Sequence, residues 1–182
     1  SQVGLSLPRR HATTVKVTLS PEQREVYDAV SDFVRREHPK VGHGQRGLNR
    51  FILQTLQVEM GSSTFAVSPT LETMAANPSN TSEHRLELAR LAAVARSVKD
   101  SAKTRALLKL LRASREKTLV FTKHRQPLNH LASALDREGI QHVVYHGALS
   151  AAAKGEAIAR FEAGRQVLLC TEAAGEGRNL QF

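Results

Sequence analysis

The chain has 182 residues, 41% of them hydrophobic, with no tryptophan and two tyrosines, so any core must be mostly aliphatic. Its formal net charge of +9 favours an anionic partner, with nucleic acid ahead of a membrane surface. The single cysteine excludes an internal disulfide, and no run approaches the roughly 18 apolar residues of a membrane span or resembles a signal peptide, so we expect a cytoplasmic protein with no membrane partner.

Residues 1–115 are predicted to be mainly helical, with one extended stretch. Val15, Val17 and Leu19 alternate with polar residues, which predicts a strand. Ser20 then serves as a helix N-cap, followed by a proline at the first helical position and by Gln23, which completes a capping box.

The following helices are predicted from apolar stripes and caps. One stripe ends at Gly61 and consists of Leu48, Phe51, Ile52, Thr55 and Leu56. Ser68-Pro69 predicts the start of a short helix, and residues 83–98 and 101–113 form two more. Residues 96–117 hold eight basic and two acidic residues, a pattern that fits a solvated helix face or a binding surface equally well.

Residues 116–182 alternate between strands and helices. Short apolar runs at 118–122, 142–146 and 166–171 predict three strands, the first of a buried type, and amphipathic helices connect them. Such short connections imply parallel strands with right-handed crossovers. Cys170 lies within the third run and is predicted to be a buried structural thiol. Because three strands are few for a parallel sheet covered on both faces, we expect this unit to be incomplete.

Polar residues follow each predicted strand and would meet at one edge of the sheet, where ligands of open parallel sheets bind. We call this edge the strand-end rim. Basic and polar side chains there suit phosphate and sugar. The rim comprises Lys123, His124, Arg125, His146, Thr171, Glu172, Glu176, Arg178 and Asn179.

Other chemistries fit the sequence less well. Gly175-Glu176-Gly177 alone is compatible with a plain turn as well as with a ligand loop. Glu172 and Glu176 have no nucleophile beside them for acid–base catalysis, and the histidines of residues 38–43 lack nearby carboxylate or thiolate partners for a metal. No metal site is therefore predicted.

Three segments carry a family resemblance. KTLVFTKHR, YHGALSAAAKGEAIARF and VLLCTEAAGEGRNLQF, in this order and spacing, resemble the second RecA-like lobe of superfamily-two helicases. The GEGxNLQ form of the last segment is similar to the motif of the Swi/Snf-type branch. The sequences of residues 62–72 and 170–182 are similar to those of its bacterial RNA-polymerase-associated members. The resemblance implies an α/β fold, with a truncated RecA-like helicase C-terminal lobe at 116–182 after a mainly helical segment at 1–115.

The resemblance also implies roles for single residues. The nucleic-acid backbone would be contacted by the residues Thr122, Lys123, His124, Arg125, His146, Gly147, Lys154 and Thr171. Lys154 stands where the family usually has arginine, which puts a bidentate phosphate contact there in doubt. Glu176, Gly177 and Asn179 match positions that approach a nucleotide when two lobes close. No catalytic residue is assigned.

The chain lacks other parts of the family's motor. No GxxxxGK[ST] phosphate loop and no metal-holding acidic motif is present, and the family's closing arginines would lie beyond Phe182. The resemblance therefore implies an ATP hydrolase that uses ATP and Mg²⁺ only together with a missing N-terminal ATPase lobe. We expect this chain alone to be inactive and to bind no cofactor.

The function predicted from these observations is that of a motor-lobe fragment of an ATP-dependent double-stranded DNA translocase in the bacterial cytoplasm, associated with the nucleoid. Double-stranded DNA is the expected substrate and RNA polymerase a candidate partner. Two alternatives remain: a lobe of an RNA helicase, or a non-catalytic basic module that binds nucleic acid or polymerase. A dinucleotide-binding enzyme is disfavoured because no GxGxxG follows a first strand.

Overall fold

The computed structural model describes residues 11–41, 47–114 and 116–172. Five helices come first: α1 (Pro21–Glu37), α2 (Arg50–Ser62), α3 (Thr64–Ala76), α4 (Ser82–Ser97) and α5 (Ala102–Ala113). The rest alternates as β1 (Thr118–Thr122), α6 (Arg125–Arg137), β2 (His142–Tyr145), α7 (Ala151–Glu162) and β3 (Val167–Thr171). Within these ranges, no helix is long and apolar enough to cross a membrane.

The capping box predicted for α1 is confirmed. Ser20 Oγ accepts a hydrogen bond from the Gln23 backbone N–H at 3.2 Å, and Gln23 Oε1 accepts one from the Ser20 N–H at 3.5 Å. The same Gln23 oxygen accepts from the backbone N–H of Ala102 at 3.0 Å. One buried amide therefore caps α1 and also fastens it to the first turn of α5.

The strand predicted around Val15, Val17 and Leu19 is wrong. Residues 11–20 form no strand, and Val15 is 51% exposed. Val17 and Leu19 instead lie half-buried beside Tyr27 and Met60 of the helices. A strand requires a neighbouring strand for its backbone hydrogen bonds, and an extended segment that lies on helices shows the same alternation without one.

The helix start predicted at Ser68-Pro69 is also wrong. α3 begins earlier, at the cap residue Ser63, whose Oγ accepts from the Ala66 N–H at 3.2 Å. Pro69 therefore lies inside α3. The helix begins directly where α2 ends, so the serine next to the break supplies the cap and the later Ser-Pro pair does not.

The stripe predicted for α2 is partly wrong. Leu56 is buried as expected, together with Leu53 and Met60, but Phe51 is 77% exposed. The face of α2 that packs on its neighbours is thus rotated away from Phe51. Apolar spacing alone does not determine which of two overlapping stripes is covered.

The three strands form one parallel sheet in the order β1-β3-β2, which confirms the predicted α/β fold with parallel strands. β3 is central, and its residues 167–170 are fully buried. Burial raises the pKa of the Cys170 thiol to about 11, as expected for a structural cysteine. β1 is not of the buried type that its sequence suggests: among the described strands it pairs only with β3, and Phe121 is 48% exposed.

Three clusters of core residues organise the described part of the molecule. One apolar cluster unites α1–α4, which we call the helical segment (residues 11–98). Two further clusters cover the opposite faces of the sheet, one with α7 and one with α5 and α6. Leu111 of α5 packs with Leu128 and Leu135 of α6. The predicted domain boundary between residues 115 and 116 stays a prediction. The helix α5 lies before that boundary and packs with the sheet.

Candidate nucleic-acid interface

The strand register brings the carboxyl ends of the three strands level. Thr122 at the end of β1 pairs with Thr171 at the end of β3, and Tyr145 at the end of β2 pairs with Cys170. The residue after Tyr145 is His146, which therefore leaves the sheet beside Thr171. The residues of the predicted strand-end rim, up to residue 172, therefore follow strands that end at the same edge of one sheet.

The β1 end of the rim is shaped by a short turn. Thr122 Oγ1 donates to the backbone carbonyl of His124 at 3.0 Å, and His124 is the N-cap residue of α6. The His124 side chain does not cap the helix, so the first α6 N–H groups have no side-chain acceptor there. Lys123 and Arg125 on either side are exposed and, among the described residues, form no hydrogen bond or ion pair. Two cationic groups are available at this end.

The β2 end supplies a third cationic side chain, that of Lys154. The His146 carbonyl accepts from the Leu149 N–H at 3.1 Å in the turn before α7. Ser150 Oγ caps α7 by accepting from the Ala153 N–H at 3.2 Å. This cap places the half-buried Lys154 in the first turn of α7, on the side of His146. Gly147, in the turn between them, is exposed.

The electrostatics of His146 show that the two ends meet. Burial lowers the pKa of His146, and the positive charges of Arg125 and Lys154 lower it further. His146 is therefore uncharged at neutral pH between two cations. Its Nδ1 is buried without a hydrogen-bond partner, as is Nε2 of His124. The rim thus combines positive charge with two buried imidazole nitrogens that have no hydrogen-bond partner among the described residues.

The other predicted residues divide into two groups. Thr171 is half-buried beside Thr122, and Glu172 follows it. The predicted nucleotide-facing residues Glu176, Gly177 and Asn179 lie outside the described residues. Within the described ranges, no group of three or more His, Cys, Asp or Glu side chains is arranged to hold a metal ion.

Sequence reasoning missed how the helical segment borders the rim. The ring of Phe65 in α3 stacks on His130 of α6, with centroids 3.7 Å apart. Lys103 Nζ of α5 donates to the carbonyls of Gly61 and Ser62 at 3.0 and 2.9 Å. These contacts enclose a cavity of about 510 Å³ that reaches Lys123 and Glu172. They join residues at least 41 positions apart, a separation at which local sequence patterns carry no signal.

Comparison with known proteins identifies the class to which this site belongs. Residues 102–182 match the family model described as "Helicase conserved C-terminal domain". The structure also resembles solved structures, two of which follow. Their sequence identity to this chain is low, so the likeness shows the fold alone. One is the C-terminal part of the Fun30 ATPase domain, with a TM-score of 0.60, 17% identity, and 96% of this chain and 73% of that chain covered. The other is the C-terminal domain of a Sulfolobus solfataricus SWI2/SNF2 ATPase, with a TM-score of 0.57, 16% identity, and 92% and 66% covered.

Curated relatives agree with this class. "Uncharacterized ATP-dependent helicase YqhH" of Bacillus subtilis is 30% identical over 181 residues, which are 98% of this chain and 31% of that protein. "RNA polymerase-associated protein RapA" of Photobacterium profundum is 44% identical over 81 residues, 42% of this chain and 8% of that protein. The chain thus spans about a third of the first relative and under a tenth of the second. Residues 102–182 therefore match a helicase C-terminal domain, as the resemblance implied, and the chain is similar to proteins named as an ATP-dependent helicase and as an RNA-polymerase-associated protein.

Proposed function

We propose that this chain is the C-terminal motor-lobe region of an ATP-dependent double-stranded DNA translocase of Swi/Snf type. The observation that carries the proposal is the strand register, which brings the level carboxyl ends of the three strands together beside the exposed cations Lys123 and Arg125. The net charge of +9 and the relative named as an ATP-dependent helicase support it.

In this proposal the strand-end rim follows the sugar–phosphate backbone. Lys123, Arg125 and Lys154 neutralise phosphates, and the hydroxyls of Thr122 and Thr171 with the backbone at Gly147 approach them closely. His124 and His146 lie at the same strand ends, beside these cations. Such contacts are independent of base sequence, as tracking along DNA requires.

ATP hydrolysis belongs, in this proposal, to the intact enzyme with its N-terminal ATPase lobe. When bound, ATP would supply the phosphoryl group that is transferred to water, and Mg²⁺ would neutralise the charge of its phosphates. From this chain, Glu176, Gly177 and Asn179 approach the nucleotide, and the division at residue 115 separates the mainly helical part from the lobe that carries them. The enzyme acts on the nucleoid in the bacterial cytoplasm, and RNA polymerase is a candidate partner because one relative is named for that association.

Nucleic-acid-stimulated ATP turnover tests this function. For the intact enzyme, turnover rises with duplex DNA and responds less to RNA of equal length, whereas the 182-residue chain alone shows no turnover with either. Stimulation by RNA only would assign the lobe to an RNA helicase. Rapid turnover by the chain alone would refute the requirement for a second lobe.

A further inference from the structure

A groove runs along α6, between that helix and the helical segment, and its lining combines apolar residues of the helical segment with polar side chains. It has a volume of about 460 Å³. From α6 it is lined by Gln126, Asn129, Ser133 and Arg137, and from the helical segment by Ser68 and Arg96. The α6 residues recur at spacings of three and four, so they lie on one face of the helix. We call this feature the α6 groove.

The α6 side chains of the groove are available to a ligand. All four are exposed, and none of them forms a hydrogen bond or an ion pair with any other described residue. Together they present two carboxamides, a hydroxyl and a guanidinium. The groove therefore offers several hydrogen-bond donors that the fold does not use.

The charge of the groove is positive. The guanidinium of Arg137 is close enough to lower the pKa of His130, after the larger effect of burial. On the helical segment, Arg96 forms an ion pair with Glu72 at 3.3 Å, which leaves Arg137 as the unneutralised charge. The carboxylates at the end of α6 are directed elsewhere: Asp136 lines a cavity beside β2, and Glu138 pairs with Arg112.

The groove continues the strand-end rim. Gln126 directly follows Arg125, and α6 extends from there for about 18 Å to Arg137, at 1.5 Å per residue. One DNA strand carries a phosphate about every 3.4 Å along the duplex axis, so roughly five phosphates correspond to this length.

We propose that the α6 groove binds the sugar–phosphate backbone of duplex DNA beyond the rim. Guanidinium, carboxamide and hydroxyl groups are the side chains that most often contact phosphate and sugar. The helical segment then forms the outer wall of the DNA-binding surface. The inference rests on the proposed function, because the DNA must first lie on the rim.

Binding of fluorescent duplex DNA of about 20 bp to the 182-residue chain, measured by anisotropy across a salt series, tests the inference. Arg137→Ala weakens binding about fivefold and lowers the slope of log K against log salt by about 0.9, as loss of one phosphate contact requires. Asn129→Asp weakens binding further because it places a carboxylate against phosphate. The matched control is Arg160→Ala, which removes the same charge from α7 on the opposite face of the sheet and leaves binding within about twofold.

The outcomes separate this inference from the proposed function. If Arg137→Ala and Asn129→Asp bind like the unmodified chain while Lys123→Ala with Arg125→Ala weakens binding, the groove inference is wrong and the rim stands. If the rim variant also binds normally, both proposals fail. Equal losses for Arg137→Ala and Arg160→Ala would mean that net charge alone governs binding, which also overturns the groove. All of these changes are at exposed positions, and unfolding curves check that each variant is folded.

Discussion

At the scale of single residues, His146 is the most informative side chain of the molecule. It lies at the end of β2, and its pKa is lowered first by burial and then by the two cations that share its surroundings. A sequence places such a histidine after a strand, but it cannot show that charges from α6 and α7 meet there. Those neighbours are 21 positions before it and eight positions after it, and only the parallel crossovers bring them together.

The lowered pKa of His146 makes stability depend on pH. The unfolded chain takes up a proton at this imidazole near its ordinary value of about 6.5, whereas the folded chain resists protonation. Stability from this residue is therefore fully present above that pH and is lost as pH falls toward the lower folded pKa. His146→Gln should lose less stability than the unmodified chain between about pH 7.5 and 5.5 in urea unfolding.

That measurement needs a control variant, and a second histidine contributes to the same pH dependence of stability. The exposed His11 makes no described contact, so His11→Gln should keep the full pH dependence. Part of the pH dependence of stability remains in every variant, because burial and Arg137 lower the pKa of His130 as well. Identical pH dependence in His146→Gln and the unmodified chain would contradict the electrostatic account of the rim.

At the scale of elements, α1 and α4 are joined by a buried carboxylate. The Glu37 side chain is 4% exposed and accepts from Arg36 Nε and Lys40 Nζ at 3.0 Å, with His84 Nε2 at 3.2 Å. Burial raises the pKa of Glu37, but the hydrogen bonds from Arg36 and Lys40 outweigh it and leave the pKa below its usual value. A further pair, Arg36 with Glu87 at 2.7 Å, spans the same two helices.

Removing this carboxylate should destabilise the helical segment strongly. Glu37→Ala removes the buried acceptor that Arg36, Lys40 and His84 share, at a cost of about 2 kcal/mol in the free energy of unfolding. The matched change Asp32→Ala breaks the exposed pair with Arg35 and should cost less than about 1 kcal/mol. Urea unfolding measures the cost of both changes. Equal costs would contradict the larger stabilising contribution expected of the buried Glu37 carboxylate.

The elements also show how far sequence patterns reach. The α1 capping box and the parallel β–α units were predictable because their signals lie within a few residues. The extended residues 15–19 and the start of α3 were not, because a pairing partner and a competing cap at Ser63 decide them. The α6 groove was beyond prediction, since its two walls come from segments that no local pattern connects. The roles of Glu176, Gly177 and Asn179 stay predictions.

At the scale of the whole molecule, the helical segment and the sheet are held together by a few specific contacts. Gln23 accepts from Ala102, Lys103 binds the end of α2, and Phe65 stacks on His130. The strand-end rim and the α6 groove both border this joint. Lys123 and Arg137 line the cavities at this joint, so both parts border cationic side chains, as the proposed backbone-tracking lobe needs.

The central claim is that the strand-end rim binds the phosphates of duplex DNA. The most direct measurement is the salt dependence of duplex binding by the 182-residue chain carrying Lys123→Ala and Arg125→Ala. The account predicts weaker binding and a slope of log K against log salt that is shallower by about 1.8. The control Arg160→Ala with Arg165→Ala, at the opposite end of the strands, removes equal charge and should keep the slope. An unchanged slope in the rim variant, or an equal loss in the control, would contradict the account.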